Sequence, residues 1–498
     1  MRDSISRNIL SVYIANFVPA GLTYLFWITA SNFTDSRVIG VVAAIGSFSM
    51  ILGVLSNFDI GVGMKRFLGK AVADKDWFTY KNIVSVSTLF SFLTSIGVSI
   101  IALNPFFDVL GHVGIEKQFI PIIIIIVIGN DLQNVLIGTL VSALKSRTLV
   151  IPSVIASVAR FPVLFILFYF LGRSDTSVAW SYSVIYIVNS IILLSIVLGI
   201  MKKISGKYFH NARSNLKLVI RGSAPRWIPQ IISVLGSQLS ILAVFSLKGA
   251  SESGLFYIPY AIFNVLFLIS GAINQVSYPV LSGIDNLEQQ KQFLRRTLKI
   301  TFLGTIPFSA IIFFYDKPIL SIFGSQFSHS SDILSILLLS FPFAIVTEGV
   351  YYLLFARGQY RNVLALGLTS NVPRILLYII LVPMYGGVGG AIAFVIGTIC
   401  QIILSTIIIE KMGIRLSYTK FVVISTAPFA IGYLLMFLNV GLLGSVALFI
   451  FSWVVYLRLN LFDENDIENS LKVIMEPEKV VLVKERIVKE LKRLHMRS

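Results

Sequence analysis

Apolar residues recur along the chain in runs of about twenty, separated by short polar segments that hold most of the charges. A helical run of that length rises about 1.5 Å per residue and crosses a hydrocarbon core of about 30 Å. The pattern predicts about fourteen transmembrane helices in an all-α polytopic membrane protein. Their approximate positions are 8–32, 38–63, 83–103, 118–144, 149–172, 177–201, 227–247, 255–281, 298–315, 333–356, 362–384, 388–410, 419–438 and 440–457.

The composition supports a lipid-embedded chain, because 56% of residues are hydrophobic and 13% are charged, whereas soluble proteins carry about a quarter charged residues. One cysteine, Cys400, excludes an intramolecular disulfide and a cysteine metal cluster. The four histidines show no ligand spacing, so we expect no metal and no other cofactor. The segment nearest to a phosphate-binding loop, 63–70, lacks the required spacing. Transport would therefore be driven by an ion gradient, by the membrane potential or by the substrate gradient. The sequence leaves open whether a coupling ion would be Na⁺ or H⁺.

The basic residues are distributed unevenly across the predicted membrane. Of 41 Lys and Arg, 34 fall on the side of the N-terminus, five on the other side, and two inside spans. Basic residues concentrate in cytoplasmic loops, so the protein is expected in the cell membrane with both termini cytoplasmic. The net charge of +17 then reflects topology and attraction to anionic membrane lipids, and no nucleic-acid partner is expected.

A basic cytoplasmic segment at 202–226 separates two groups of six spans. We expect an N-lobe at 1–201, a C-lobe at 227–410, two added helices at 411–459 and a cytoplasmic tail at 460–498. A repeat with an even number of spans inserts in parallel orientation. An offset of 214 residues pairs Gly40 with Gly254 and Arg160 with Arg374, which favours a parallel duplication.

The tail is predicted to form an amphipathic helix. Its apolar positions follow helical spacing behind Pro477. One interpretation is a helix lying on the membrane surface or on the protein's own loops. The other is a docking helix for a cytoplasmic partner.

Two arginines are predicted deep inside the membrane. Arg160 and Arg374 each lie thirteen residues beyond a cytoplasmic arginine, which places them about 20 Å into the membrane. An arginine at that depth costs about 2.5–3.5 kcal/mol on insertion scales, so it requires a polar cavity or a partner. One interpretation is an anion site that holds a pyrophosphate by bidentate hydrogen bonds. The alternative is a pair of interhelical ion pairs, with Asp131 and Glu348 as partners.

Span four carries a polar face that includes Asn130, Asp131 and Asn134. This face either lines a water-filled cavity that binds sugar or packs through side-chain hydrogen bonds. The predicted substrate-binding residues are Arg160, Arg374, Asn130, Asp131, Asn134 and Glu348. Asp59, Lys65 and Arg66, at the cytoplasmic end of span two, are candidates for a substrate entrance or a snorkelling interfacial cluster.

Several short motifs keep a characteristic order over about 400 residues. They are Asp59-Ile60-Gly61, Gly254-Leu255-Phe256-Tyr257, Tyr278-Pro279-Val280-Leu281-Ser282, Ile322-Phe323-Gly324 and Pro383-Met384-Tyr385-Gly386-Gly387-Val388-Gly389-Gly390-Ala391. Through them the sequence resembles the polysaccharide and oligosaccharide flippases of the multidrug/oligosaccharidyl-lipid/polysaccharide (MOP) exporter superfamily, which contains the MATE transporters.

The resemblance implies two six-helix lobes in a MATE-like V, two added C-terminal helices, and rocking between inward-open and outward-open states. The implied substrate is an oligosaccharide on polyprenyl or dolichyl pyrophosphate, flipped from the cytoplasmic to the external leaflet without enzymatic chemistry.

Two other functions compete with flipping. A cation-coupled multidrug exporter of the same superfamily depends on acidic residues in its lobes, and spans one and seven contain no Asp or Glu. A membrane-embedded glycosyltransferase needs acidic residues on a substantial external loop. The longest external loop, 104–117, offers Asp108 and Glu116.

The predicted orientation is testable with topology reporters. Fusions at Ser251 and Ser328 should report an external location, because both positions fall in loops on the side that is poor in Lys and Arg. A cytoplasmic signal from either fusion would contradict the fourteen-span topology.

Overall fold

The structure is a computed structural model that describes residues 2–459 and Leu461, with gaps at 105–107, 207, 285, 415, 417, 439 and 442. Side chains at 2–16, 66, 272, 275–280 and 418 lie outside the description. The predicted tail helix therefore lies outside the described residues, as does the side chain of Arg66.

Helices account for the regular secondary structure of the described residues. The α-helices are α1 (Arg2–Phe33), α2 (Ser36–Asn57), α3 (Ile60–Ala73), α4 (Trp77–Ala102), α5 (Val109–Val113), α6 (Ile120–Ser142), α7 (Val150–Leu171), α8 (Asp175–Lys202), α9 (Ala212–Lys248), α10 (Ala250–Ser282), α11 (Leu287–Phe314), α12 (Asp316–Ser321), α13 (Ser331–Ala356), α14 (Tyr360–Lys411), α15 (Tyr418–Phe437) and α16 (Leu443–Arg458). Short 3₁₀ turns at Lys117–Phe119, Ser146–Leu149 and Ser325–Ser330 precede α6, α7 and α13.

Among the described residues, eleven helices are long and apolar enough to cross a membrane: α2, α4, α6 to α11, and α13 to α15. The prediction of an all-α, multi-pass membrane protein is confirmed. Helix α14 covers the positions of predicted spans eleven and twelve, and it is interrupted at Gly386, whose φ of 57° and ψ of −134° are not helical. The count of fourteen spans stays a prediction.

Side-chain caps mark the start of several spanning helices. The carboxylate of Asp35 accepts a hydrogen bond from the Val38 amide at 2.9 Å, and Asp76 accepts one from the Thr79 amide at 2.9 Å. These caps satisfy amide groups that have no partner inside the helix. They fix where α2 and α4 begin.

Helix α2 ends at Asn57, whereas the hydrophobic pattern predicted a span reaching residue 63. Phe58 and Asp59 have positive φ values of 50° and 51°, which are incompatible with a continuing right-handed helix. The Asn57 side chain accepts a hydrogen bond from the Asp59 amide at 2.7 Å and stabilises the break. A separate amphipathic helix, α3, follows and buries Met64 and Leu68.

The chain forms two compact units. The first comprises Met1–Tyr260, Leu320–Ile333 and Gly367–Gly397, and the second comprises Ala261–Ile319, Leu334–Leu366 and Thr398–Ser498. A core of the first unit gathers apolar side chains from α3, α4, α6, α8 and α9. In the second unit, α11, α15 and α16 share a smaller cluster. The predicted division into two six-span lobes stays a prediction.

Glycines bring the backbones of α2 and α10 into contact in the first unit. A Cβ atom added at Gly40 would overlap the backbone of Ala250 and approach the Gly254 amide. A Cβ at Gly254 would overlap the Ser36 carbonyl. Small residues permit this close approach of helices in a membrane. Gly40 and Gly254, which are paired by the 214-residue offset, are therefore neighbours.

This contact predicts that Gly40→Ala destabilises the protein by about 1–3 kcal/mol, because the added methyl group has no space. Gly97→Ala is the matched control, since a Cβ there meets nothing within 4 Å and alanine is the better helix former. Thermal unfolding of the detergent-solubilised variants measures both effects. Equal unfolding temperatures for the two variants would contradict the close contact.

Candidate functional site

Arg160 is buried within α7, with 1% of its surface exposed. Its Nη2 donates a hydrogen bond to the Thr23 hydroxyl at 2.8 Å, and its Nε donates to the Ser157 carbonyl at 3.2 Å. The Thr23 hydroxyl in turn donates to the Pro19 carbonyl at 2.8 Å. A residue of α1 thus holds the guanidinium of α7 in place.

Aromatic side chains surround Arg160. Its guanidinium lies 4.9 Å from the centroid of the Phe26 ring, a distance typical of a cation–π contact. Tyr182 and Tyr186 of α8 and Tyr257 of α10 interact with it electrostatically. The hydroxyls of Tyr182 and Tyr186 lie 3.4 Å apart. The positive charge is therefore held by the Phe26 ring face and the neutral Thr23 hydroxyl.

Arg374 of α14 has a similar environment in the same unit. It has 8% of its surface exposed, and its guanidinium lies 3.9 Å from the centroid of the Phe394 ring. Its Nη1 donates to the Asn371 side-chain oxygen at 3.3 Å. Tyr378 and Tyr260 interact with it electrostatically. Both arginines thus combine an aromatic face with neutral polar groups.

The ion pair proposed between Arg160 and Asp131 is not formed in the part of the chain that the structure describes. Asp131 of α6 is fully buried and accepts a hydrogen bond from the Ser56 hydroxyl of α2. Arg374 and Glu348 belong to different units. Glu348, on α13, accepts a hydrogen bond from the Ser270 hydroxyl at 2.7 Å and a second from Asn274.

The polar face of α6 packs on α2 and α3. A Cβ added at Gly53 would lie 3.1 Å from the Asn130 amide nitrogen, and a Cβ at Gly61 would overlap the Asn134 carbonyl. Both asparagine side chains are half-buried, whereas the Asp131 side chain is enclosed. A hydrogen bond from Ser56 to Asp131 links this face to α2. A sugar-binding role for Asn130 and Asn134 stays a prediction.

The break between α2 and α3 gathers charges next to α9. The Arg226 Nε lies 3.2 Å from a carboxylate oxygen of Asp59. Burial raises the pKa of Asp59, and the charges of Arg226 and Lys65 oppose that shift. Burial lowers the pKa of Lys65, the Arg226 charge lowers it further, and Asp59 opposes both. The neighbouring Trp227 donates to the Val54 carbonyl at 2.7 Å. These contacts tie α9 to the helix break, and an entrance role for Asp59, Lys65 and Arg66 stays a prediction.

Sequence reasoning missed the aromatic residues around the arginines and a polar link between α6 and α8. Asn189 donates to the Gln133 side-chain oxygen at 3.0 Å, and Ser190 donates to the Gly129 carbonyl at 3.0 Å. The i, i+4 spacing of Tyr182 and Tyr186 was the available signal, because it places two hydroxyls on one face of α8.

Comparison with known proteins finds relatives at low identity, and no family profile matches the chain. An uncharacterized membrane protein of Methanocaldococcus jannaschii is 22% identical over 428 residues, which cover 82% of this chain and 99% of the relative. A Shigella flexneri protein provisionally named an O-antigen transporter is 25% identical over 191 residues, 38% of this chain and 45% of the relative. The aligned part thus spans under half of that transporter's length.

Solved structures are similar over most of the chain. The lipid II flippase MurJ, in an inward closed conformation, superposes with a TM-score of 0.71 at 16% identity, covering 91% of this chain and 99% of MurJ. A multidrug resistance MATE family transporter of the MOP superfamily, facing inward, gives a TM-score of 0.61 at 15% identity, covering 82% of this chain and 98% of that one.

The chain has the MOP transporter fold. The resemblance predicted from the sequence motifs is therefore confirmed for the fold. In this MOP fold, Arg160 and Arg374 are buried within α7 and α14, helices long and apolar enough to span a membrane.

The Asp59–Arg226 pair predicts a pH-dependent stability difference. Arg226→Gln should destabilise the protein by about 1–2 kcal/mol at pH 7. This loss is smaller than for a fully buried pair, because the arginine is partly exposed to solvent. The pair exists while Asp59 is ionised, so the difference between wild type and variant should shrink as the pH falls through the raised pKa of Asp59. Thermal unfolding between pH 4 and 8 measures this, with the exposed Arg221→Gln as the control on the same helix. A pH-independent difference would contradict the pairing.

Proposed function

We propose that this protein flips a lipid-linked oligosaccharide from the cytoplasmic to the external leaflet by alternating access. The lipid carrier is a polyprenyl or dolichyl pyrophosphate. The observation that carries the proposal is the burial of Arg160 and Arg374 within apolar helices, each held by an aromatic ring and neutral polar groups. Fixed positive charges at such positions suit an anion that has to pass through the membrane.

The known proteins support this substrate class. MurJ is named a lipid II flippase, and the Shigella flexneri relative is named as an O-antigen transporter. One name states flipping of lipid II and the other transport of O-antigen, and the fold of this chain is that of MurJ. The protein would act by binding and conformational change, without covalent chemistry.

Electrostatics explains why arginines would be needed. A pyrophosphate carries about two negative charges, and moving it through a medium of low dielectric constant without counter-charge costs many kcal/mol. Guanidinium groups stay charged and bind phosphate oxygens in bidentate fashion. Arg160 and Arg374 would neutralise the pyrophosphate, while Asn130 and Asn134 would contact sugar hydroxyls.

A cation-coupled multidrug exporter is the second candidate. Asp131 and Glu348 favour it, since both are carboxyl groups on membrane-spanning helices that accept hydrogen bonds from serine hydroxyls. Such groups could exchange H⁺ or bind Na⁺. In the flippase, Asp131 and Glu348 would contribute to substrate binding, as the sequence predicts.

The arginine charge is tested by flipping assays in proteoliposomes with a labelled short-chain polyprenyl-pyrophosphate oligosaccharide. Arg160→Gln and Arg374→Gln should each slow flipping by about tenfold to a hundredfold, as expected from losing charged hydrogen bonds of about 1.5–3 kcal/mol. Lysine at either position should retain part of the rate, because it keeps the charge but loses the bidentate geometry. Arg147→Gln and Arg361→Gln are the matched controls. Both arginines are exposed, and each lies thirteen residues before one of the two buried arginines.

Protein abundance separates the two interpretations of the arginines. An anion site predicts that the glutamine variants stay folded and abundant. A purely structural role, in which the arginines only hold helices together through their hydrogen bonds and ring contacts, predicts that the glutamine variants lose abundance. Wild-type flipping by a stable Arg160→Gln/Arg374→Gln protein would rule out the anion site, and extrusion of cationic drugs without lipid flipping would favour the exporter.

A further inference from the structure

We propose that the protein carries a binding site for an anionic phospholipid in a cavity at one end of the first unit. The cavity has a volume of about 900 Å³. Its lining comes from the segment that starts α4, the connection between α6 and α7, and the end of α8. The site shares no residue with the surroundings of Arg160 or Arg374, and the inference does not depend on the proposed flippase activity.

The cavity is positively charged. Lys75, Lys145 and Lys203 line it, together with one carboxylate, that of Asp76. Asp76 already caps α4 through the Thr79 amide. The lysines come from three different connections of the chain, so the fold, and not one basic run of sequence, brings their charges to one place. A phosphate group placed among them would be neutralised by several ammonium groups.

Another part of the lining is apolar and suits acyl chains. Ile196 and Ile200 are separated by one helical turn of α8, and Gly199 lies between them on the cavity lining. A Cβ added at Gly199 would meet nothing within 4 Å, so the helix surface is open at this point. Trp77 and Phe78 add ring surfaces that are 44% and 39% exposed. Aromatic rings next to lysines are typical of the boundary between headgroups and hydrocarbon.

Buried contacts hold the cavity in shape. Lys81 is 4% exposed, and its Nζ donates to the carbonyls of Ile204 and Gly206 at 2.9 and 3.0 Å. The same ammonium group lies 3.8 Å from the centroid of the Tyr208 ring. The segment that follows α8 is thereby attached to α4. Lys203 is therefore presented by an anchored backbone.

The combination identifies a phospholipid rather than a free anion. A soluble phosphate would use the lysines but not the apolar wall of α8. A neutral lipid would use the wall but not the three charges. An anionic phospholipid uses both, because its headgroup lies at the level of the lysines and its acyl chains extend along an apolar helix surface.

Lipid titrations of the purified full-length protein test the site. Delipidated protein is titrated with short-chain phosphatidylglycerol or phosphatidylcholine, and bound lipid is measured by native mass spectrometry. Wild type should bind phosphatidylglycerol at least about tenfold more tightly, as expected for several lysines acting on one negative headgroup. Lys75→Gln/Lys145→Gln/Lys203→Gln should lose this preference. The charge-matched control, Lys202→Gln/Arg213→Gln/Lys217→Gln, alters exposed basic residues outside the lining and should keep it.

Two further variants distinguish the site from a general charge effect. Lysine-to-arginine substitutions at the three positions should retain the preference and show that the fold is intact. Gly199→Phe leaves the charge unchanged but occupies the apolar wall, so it should weaken phosphatidylglycerol binding by about tenfold. The proposal is overturned if the glutamine variant keeps the preference, if Gly199→Phe has no effect, or if millimolar inorganic phosphate displaces the lipid.

Discussion

The structure depends on keeping guanidinium groups charged inside helices that are otherwise solvated by lipid. Lipid tails offer no hydrogen bonds, so the protein has to supply every partner of a buried charge. Arg160 obtains a threonine hydroxyl, a backbone carbonyl and an aromatic face. Arg374 obtains an amide oxygen and an aromatic face. Such partners stabilise a cation without cancelling its charge, which leaves its field for an anionic ligand.

Small residues create the space for these groups. A Cβ at Gly397 would overlap the side chain of Arg374, and a Cβ at Gly129 would press against Tyr186. At Gly40 and Gly254 the same absence of a side chain brings two helix backbones together. The geometry around the charges is therefore set by close packing, which transmits small displacements because packed interiors compress little. A helix shift that accompanied transport would move the arginines and their rings together.

Hydrophobic runs predicted the spanning helices because their length is set by the bilayer, and Arg160 lies within one of these helices. The break at Phe58 and Asp59 was missed because left-handed residues there are neither glycine nor proline. The rings around Arg160 come from α1, α8 and α10, and their meeting depends on helix rotation, which periodicity does not determine. The lysine-lined cavity was not predicted either, because its three charges are far apart in the sequence and only the fold brings them together.

We propose above that Arg160 and Arg374 bind the pyrophosphate of a lipid-linked sugar. The most direct measurement is a cryo-electron microscopy structure of the purified protein with a polyprenyl-pyrophosphate oligosaccharide bound. Phosphate oxygens are expected about 2.7–2.9 Å from the guanidinium nitrogens of at least one of the two arginines if the proposal is right. A well-resolved pyrophosphate bound elsewhere, with both arginines keeping the partners described above, would contradict it.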